Sequence, residues 1–232
     1  MKVAVMQPYF FPYIGYFQLI AAVDLFILYD NIKYTKKGWI TRNRMLRDGK
    51  PAGFSLALKS GPDAADIRNR ELAADFDARK LLNQIGEAYR RAPYFTQVFP
   101  VVRQVVQHGD RNLFGFLDHS IRATCEYLGI ETKIVKSSDI PIDPELRHQE
   151  RVIALCREAG ARVYLNAIGG TELYSKPDFD AAGIELKFLK PRPFEYRQLD
   201  NAFVPWLSII DVMMFNSTAA IGECLGSNFE LV

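Results

Sequence analysis

Apolar positions along the chain follow two rhythms. Short runs rich in Val, Ile, Leu and Phe, bounded by turn residues, suit strands buried on both faces. Such runs are Lys2 to Met6, Leu25 to Tyr29, Ala52 to Leu58, Thr132 to Val135, Val163 to Asn166 and Ile184 to Phe188. Elsewhere apolar residues recur every three or four positions, as on an amphipathic helix. That spacing predicts helices over Gly15 to Val23, Ala78 to Ala92, Tyr94 to Gln107 and Arg111 to Leu128. Pro144 fits a first helical turn and Gly160 a stop, so another helix is predicted from Pro144 to Ala159. Trp206 to Phe215 fits a helix or a strand equally.

Strands alternating with helices imply an α/β fold, three layers about a mostly parallel sheet. We expect a single domain over 1–232, with a helical block at 76–130 readable as an inserted lobe. Ligands of such sheets sit beyond the carboxyl ends of the strands, where the strand order reverses. Four segments follow predicted strands: Gln7 to Gly15, Asp30 to Arg44, Lys136 to Asp139 and Ala167 to Tyr174.

Composition narrows the class. With 49% hydrophobic and 24% charged residues among 232, the chain can bury a core that holds without staples, which excludes disorder and disulfide scaffolds. The 29 Lys and Arg against 27 Asp and Glu leave +2, too weak a field to attract nucleic acid or an anionic membrane. Any anion site is therefore local. Cys125, Cys156 and Cys224 are widely spaced and form no CxxC, as expected of reduced thiols in a cytoplasmic protein. His108, His119 and His148 are scattered, so no metal site is expected. No apolar run reaches the about 18 residues of a spanning helix, and Gln7, Pro8 and Pro12 interrupt the apolar region of a signal peptide. The expectation is a soluble protein without membrane insertion.

Two segments carry the densest candidate chemistry. In Gln7 to Tyr16, aromatic residues crowd between prolines where a loop is usually polar. Gln7, Tyr9, Tyr13 and Tyr16 have polar handles for a ligand, while Phe10, Phe11 and Phe17 serve equally well to close the end of the sheet. Gly15 opens a helix whose free N–H groups suit a phosphate or carboxylate. Beyond Asp30, the cations Lys33, Lys36, Lys37, Arg42 and Arg44 fall within twelve residues, with Trp39 and Asn43 among them. Arginine forks and lysine charges suit phosphate oxygens, and Trp39 suits a stacked base. Two weaker segments are Ser137-Ser138, which offer hydroxyls, and Gly169-Gly170, which let backbone approach a ligand; either is also an ordinary turn. Asp211, in an apolar run, is either paired in the core or poised for acid–base work.

Tyr13-Ile14-Gly15-Tyr16 has the spacing of the His-x-Gly-His signature, and the surrounding layout resembles the nucleotidylyltransferase and pantothenate-synthetase type of nucleotide-binding fold. Tyrosines replace both histidines, so the resemblance carries the fold and not the adenylyl chemistry. A second resemblance covers nearly the whole chain. The stretch Met6 to Phe17, Tyr29-Asp30, Lys37-Gly38-Trp39-Ile40, Arg42-Asn43-Arg44, Ala92 to Phe95, Leu128-Gly129-Ile130, Ser137-Ser138 and Leu207 to Asp211 look like the WbqC-like protein family.

That family resemblance implies a place in O-antigen and other surface-polysaccharide biosynthesis. It also implies an aminoacyl, glycine-type transfer to the amine of a nucleotide-linked amino sugar. Asp30 and Tyr13 are then the expected catalytic residues, Asp30 as base, with Lys37, Arg42 and Arg44 on phosphates. A free amino acid donor requires ATP, with Mg²⁺ as its natural companion; an aminoacyl-tRNA donor requires neither and makes a nucleic acid the partner. The alternative is a non-catalytic nucleotide or sugar-nucleotide binding protein of a glycan-assembly complex.

Overall fold

The computed structural model describes residues 1–232 apart from 37, 63 and 201. Its strands are β1 (Lys2–Met6), β2 (Leu25–Leu28), β3 (Arg42–Arg47), β4 (Lys50–Ser55), β5 (Lys133–Lys136), β6 (Val163–Ala167), β7 (Glu185–Pro191) and β8 (Phe229–Leu231). Its helices are α1 (Ile14–Ala21), α2 (Ala78–Tyr89), α3 (Phe95–Val106), α4 (Leu113–Leu128), α5 (His148–Glu158), α6 (Lys176–Ala181), α7 (Ile209–Phe215) and α8 (Thr218–Ser227).

Six strands form one sheet in the order β5-β2-β1-β6-β7-β8, and β3 pairs with β4 as a separate antiparallel hairpin. All but β8 are parallel. The architecture is thus α/β with a mostly parallel central sheet. Counted along the chain, the five parallel strands lie 3-2-1-4-5, the doubly wound order that reverses beside the first strand.

Strand pleating explains the unbroken apolar runs. Val3, Val5 and Ile27 turn to one face, where they meet Val152 and Leu155 of α5 and Phe179 of α6. Ala4, Phe26 and Leu28 turn to the other, against Phe17 and Leu19 of α1 and Phe116 of α4. Buried residues of α2, α3 and α4 belong to this same cluster, so the helical block shares its core with the sheet. Asp77 starts α2 by accepting the Lys80 N–H at 2.9 Å, and Asn112 starts α4 by accepting the Gly115 N–H at 3.1 Å. Gly129, at φ +68°, closes α4, letting the Ile130 N–H reach the Cys125 carbonyl.

Several boundaries differ from the expected ones. The helix predicted from Pro144 begins at His148, because the Asp143 carboxylate and carbonyl accept the N–H groups of Glu145 and Leu146 and hold Pro144 in a turn. The basic stretch contains β3, hidden by its arginines, and the strand expected at Ala52 to Leu58 is β4, earlier by a few residues. The ambiguous late segment is helical only from Ile209. Among the described residues, no helix is long and apolar enough to cross a membrane.

Candidate ligand-binding site

Strand order reverses between β1 and β6, so the loops leaving these strands part there. A cavity of about 420 Å³ lies at that place, a size suited to a small molecule. Tyr9, Pro12 and Tyr13 reach it from the loop after β1, Ile168 from the turn after β6, and Lys190 and Pro191 from the end of β7. Trp39, Asn43 and Arg44 come from in and before β3, and Trp206 from the segment before α7.

Hydrogen bonds knit these distant segments together. Asn43 Nδ2 donates to the carbonyls of Phe11 at 2.7 Å and Phe10 at 3.3 Å, while its Oδ1 accepts the Arg44 N–H at 2.8 Å. Ser208 Oγ donates to the Phe11 carbonyl at 2.8 Å. The N–H groups of Ser208 and Ile209 donate to the carbonyls of Arg44 and Pro12 at 2.9 and 2.8 Å. Phe11 and Trp206 stand at φ +42° and +58°, a costly conformation for bulky side chains that surrounding contacts must impose. The Phe11 carbonyl is held by Asn43 and Ser208, and that of Trp206 by Arg44 Nη2 at 3.2 Å.

Gly15 has a definite purpose. A Cβ there would lie 2.4–2.7 Å from atoms of the Tyr13 ring, so only glycine lets that ring rest against the start of α1. From this position Tyr13 meets Trp206 edge-on, with ring centroids 6.1 Å apart.

Among the described residues the lining holds Arg44 and Lys190 and no carboxylate. The guanidiniums of Arg42 and Arg44 stack over Trp39 at 5.6 and 5.4 Å, on alternate residues of one strand. Arg42 Nε donates to the Gly38 carbonyl at 3.0 Å. Arg44 Nε is buried and has no hydrogen-bond partner among the described residues. Burial pushes the phenols of Tyr9 and Tyr13 above their ordinary value, with Tyr13 adding to the effect on Tyr9. Both therefore stay protonated at neutral pH and can donate to a ligand.

Of the residues the sequence singled out, Tyr9, Tyr13, Trp39, Asn43 and Arg44 line one cavity, with Arg42 adjoining through Trp39 and Gly15 beneath Tyr13. Others are employed elsewhere. Phe10 is fully buried against Phe11, Phe54 and Phe116. Tyr16 is buried and donates its hydroxyl to the Gln7 carbonyl at 2.9 Å. Asp30 does not line the cavity: its Oδ1 accepts from the Ser137 hydroxyl at 2.8 Å and the Ser138 N–H at 2.9 Å, tying the end of β2 to that of β5. Gly169 and Gly170 lie in the turn after Ile168, Gly170 packed on Asn166. Lys37 lies outside the described residues. Sequence reasoning passed over Lys190, Pro191 and Trp206 as site residues. The first two follow the strand predicted at Ile184 to Phe188 and carry the same positional signal.

The fold and cavity define a doubly wound α/β protein with an aromatic, cationic pocket at its switch point. The chain belongs to the WbqC-like protein family, whose model matches residues 7–223. It is 28% identical over 227 residues to the uncharacterized protein Rv1507c of Mycobacterium tuberculosis (strain ATCC 25618 / H37Rv), with 97% of each chain covered. No solved structure matches the chain.

Proposed function

We propose that this chain binds a nucleotide-linked amino sugar of surface-polysaccharide assembly, O-antigen included, in the switch-point cavity. One observation carries the reading: a pocket of four aromatic rings holds Arg44 and Lys190 and, among the described residues, no acid. A dianionic diphosphate would approach such a pocket without repulsion, and rings beside it suit a base or a sugar face. Arg44 and Lys190 take the phosphates, Tyr9 and Tyr13 donate hydrogen bonds, and the nucleotidylyltransferase-like layout of the sheet sets the loops around them.

Aminoacyl transfer to the sugar amine, the reaction implied by the family resemblance, also needs a base for the ammonium. Among the described residues the cavity lining has neither carboxylate nor imidazole, and Asp30 is engaged by Ser137 and Ser138. The geometry thus favours the binding reading, and the transferase reading rests on the resemblance. Calorimetric titration with UDP- and dTDP-linked amino sugars tests the first. Binding is expected, weakened about 10- to 150-fold by Arg44→Ala, the worth of a charged hydrogen bond. Absence of binding by every nucleotide sugar tried overturns it. For the second, pyrophosphate or phosphate release from ATP, Mg²⁺ and a free amino acid, dependent on the amino sugar, would establish an ATP-dependent transfer. Transfer from aminoacyl-tRNA without ATP would make that nucleic acid the partner.

A further inference from the structure

We infer that Trp206 is the cavity's stacking residue for the flat base of a nucleoside diphosphate, and that Gln198, fastened to Asp211, is its positioning residue; this rests on the binding reading above.

The cavity has two tryptophans, and they are occupied differently. Trp39 is the ledge on which Arg42 and Arg44 stack. The Trp206 ring is met, among the described residues, by one ring, that of Tyr13, and no cation stacks on it; Arg44 reaches only its carbonyl. It is 52% exposed, so burial in the core does not offset its positive φ. A bulky residue held in a costly conformation, with its ring presented at the edge of a cationic pocket, is arranged for something that arrives. A planar base meets that description, because each base has a face that stacks on indole.

The chain spends buried polar groups on holding this ring. Between β7 and α7, the described residues of 192–208 form no helix or strand. Within that strap Gln198 is 1% exposed, and its Oε1 accepts the Val204 N–H at 2.7 Å. Its Nε2 donates to the Val204 carbonyl at 3.1 Å and to Asp211 Oδ2 at 2.7 Å. Both backbone groups of a residue two positions before Trp206 are thus clasped by one side chain. Asp211 anchors the clasp. It is fully buried, its Oδ2 accepts the Tyr196 hydroxyl at 2.6 Å, and its Oδ1 accepts the Tyr89 hydroxyl at 2.9 Å. The Tyr89 oxygen in turn accepts the Leu46 N–H at 2.9 Å, so the anchor extends to the hairpin that carries Arg44.

Titration of the full-length protein with uridine, guanosine, cytidine and deoxythymidine diphosphates, and with inorganic pyrophosphate, separates ring from charge. Trp206→Ala is expected to weaken the preferred nucleoside diphosphate about 5- to 150-fold, the worth of one stacked base, and to leave pyrophosphate unchanged. Trp206→Phe should recover part of the loss, while Arg44→Ala should weaken both probes. Gln198→Leu should reproduce the Trp206→Ala loss, and the double variant should lose nothing further. In a Trp39→Phe background Trp206 is the sole tryptophan, and Gln198→Leu should raise its acrylamide quenching without any ligand. Nucleoside diphosphate binding that ignores Trp206→Ala, or an equal loss for pyrophosphate, overturns the stacking role and leaves the binding reading standing. Unchanged quenching, or additive losses, overturns the clasp. Failure of every nucleotide to bind overturns both.

Discussion

Gly15→Ala separates stability from binding at this site more cleanly than any charge removal. The added methyl would meet Tyr13 Cε2 at 2.4 Å and Cζ and Oη at 2.7 Å, whereas carbon contacts settle near 3.5–4.0 Å. The ring must retreat by about 1 Å or more, and it can, because the clash involves the far end of a side chain rather than backbone. Gly15 is the second residue of α1, where alanine gains at most about 0.5–1 kcal/mol over glycine, and loss of the edge-on Tyr13–Trp206 contact costs about 0.5–1.5 kcal/mol. Unfolding free energy should therefore stay within about 1 kcal/mol of the parent. Affinity should not. With Tyr13 displaced, the cavity loses a phenol donor and part of a wall, about 1–2 kcal/mol or about 5- to 30-fold in Kd for a nucleoside diphosphate. Urea unfolding and calorimetry on the same variant decide the matter. A loss of more than about 2 kcal/mol in stability, or an unchanged Kd, would refute the argument that the glycine serves Tyr13.

Asn43→Ala should destabilise the fold by about 2–4 kcal/mol in denaturant unfolding, since it removes the donor to two loop carbonyls and frees Phe11 from an imposed conformation; a loss under about 1 kcal/mol would show that Ser208 alone suffices. Burial raises the Cys125 and Cys156 thiols to about 12, so neither should react with a disulfide reagent at pH 8 before global unfolding, and rapid labelling in the native state would contradict their burial. Burial also raises the Asp211 carboxyl above its usual range, against the downward pull of Tyr196, Gln198 and Tyr89. The folded state then keeps a proton that the unfolded chain has released, so stability from this group is present below about pH 4 and lost as pH rises through the folded value. The stability of the parent relative to Asp211→Asn should accordingly fall as pH rises from about 4, and a rise would mean that the three donors outweigh burial.

The sheet was legible because strands apolar on both faces leave uninterrupted Val, Ile and Phe runs, and because parallel strands demand the helices read between them. Residues of the β1 loop and the basic stretch could be nominated for the same reason: both follow strand ends, and aromatic residues or arginines there are out of keeping with a plain turn. What could not be read was the wiring. Arg42 and Arg44 disguise β3 as a solvated loop, since strand pleating of charged residues looks like a charge run until the stacking on Trp39 is seen. Asp30 drew attention as a lone acid at a strand end, yet a hydroxyl and an amide more than a hundred residues away occupy it. Trp206 carries no local signal at all. Its position depends on a φ value and on a glutamine clasp to Asp211, and sequence periodicity conveys neither. Asp211 was recognised as paired or poised, and its three neutral donors show the pairing without a cation.

The cavity also sets a timetable for synthesis. Its walls come from residues 9, 12, 13, 39, 43, 44, 168, 190, 191 and 206, and Lys190 and Pro191 are paired in turn with Glu230 and Phe229 of β8. A ribosome adding about 5–20 residues per second needs about 10–40 s to travel from Tyr13 to Trp206. Throughout that interval the Phe10 and Phe11 rings, fully buried in the finished molecule, lack the Ser208 hydroxyl that fixes their loop. The nascent chain therefore carries an unfastened aromatic segment from the synthesis of Phe11 until Ser208 emerges, which makes this loop a natural client of a chaperone and a natural seed of misassembly.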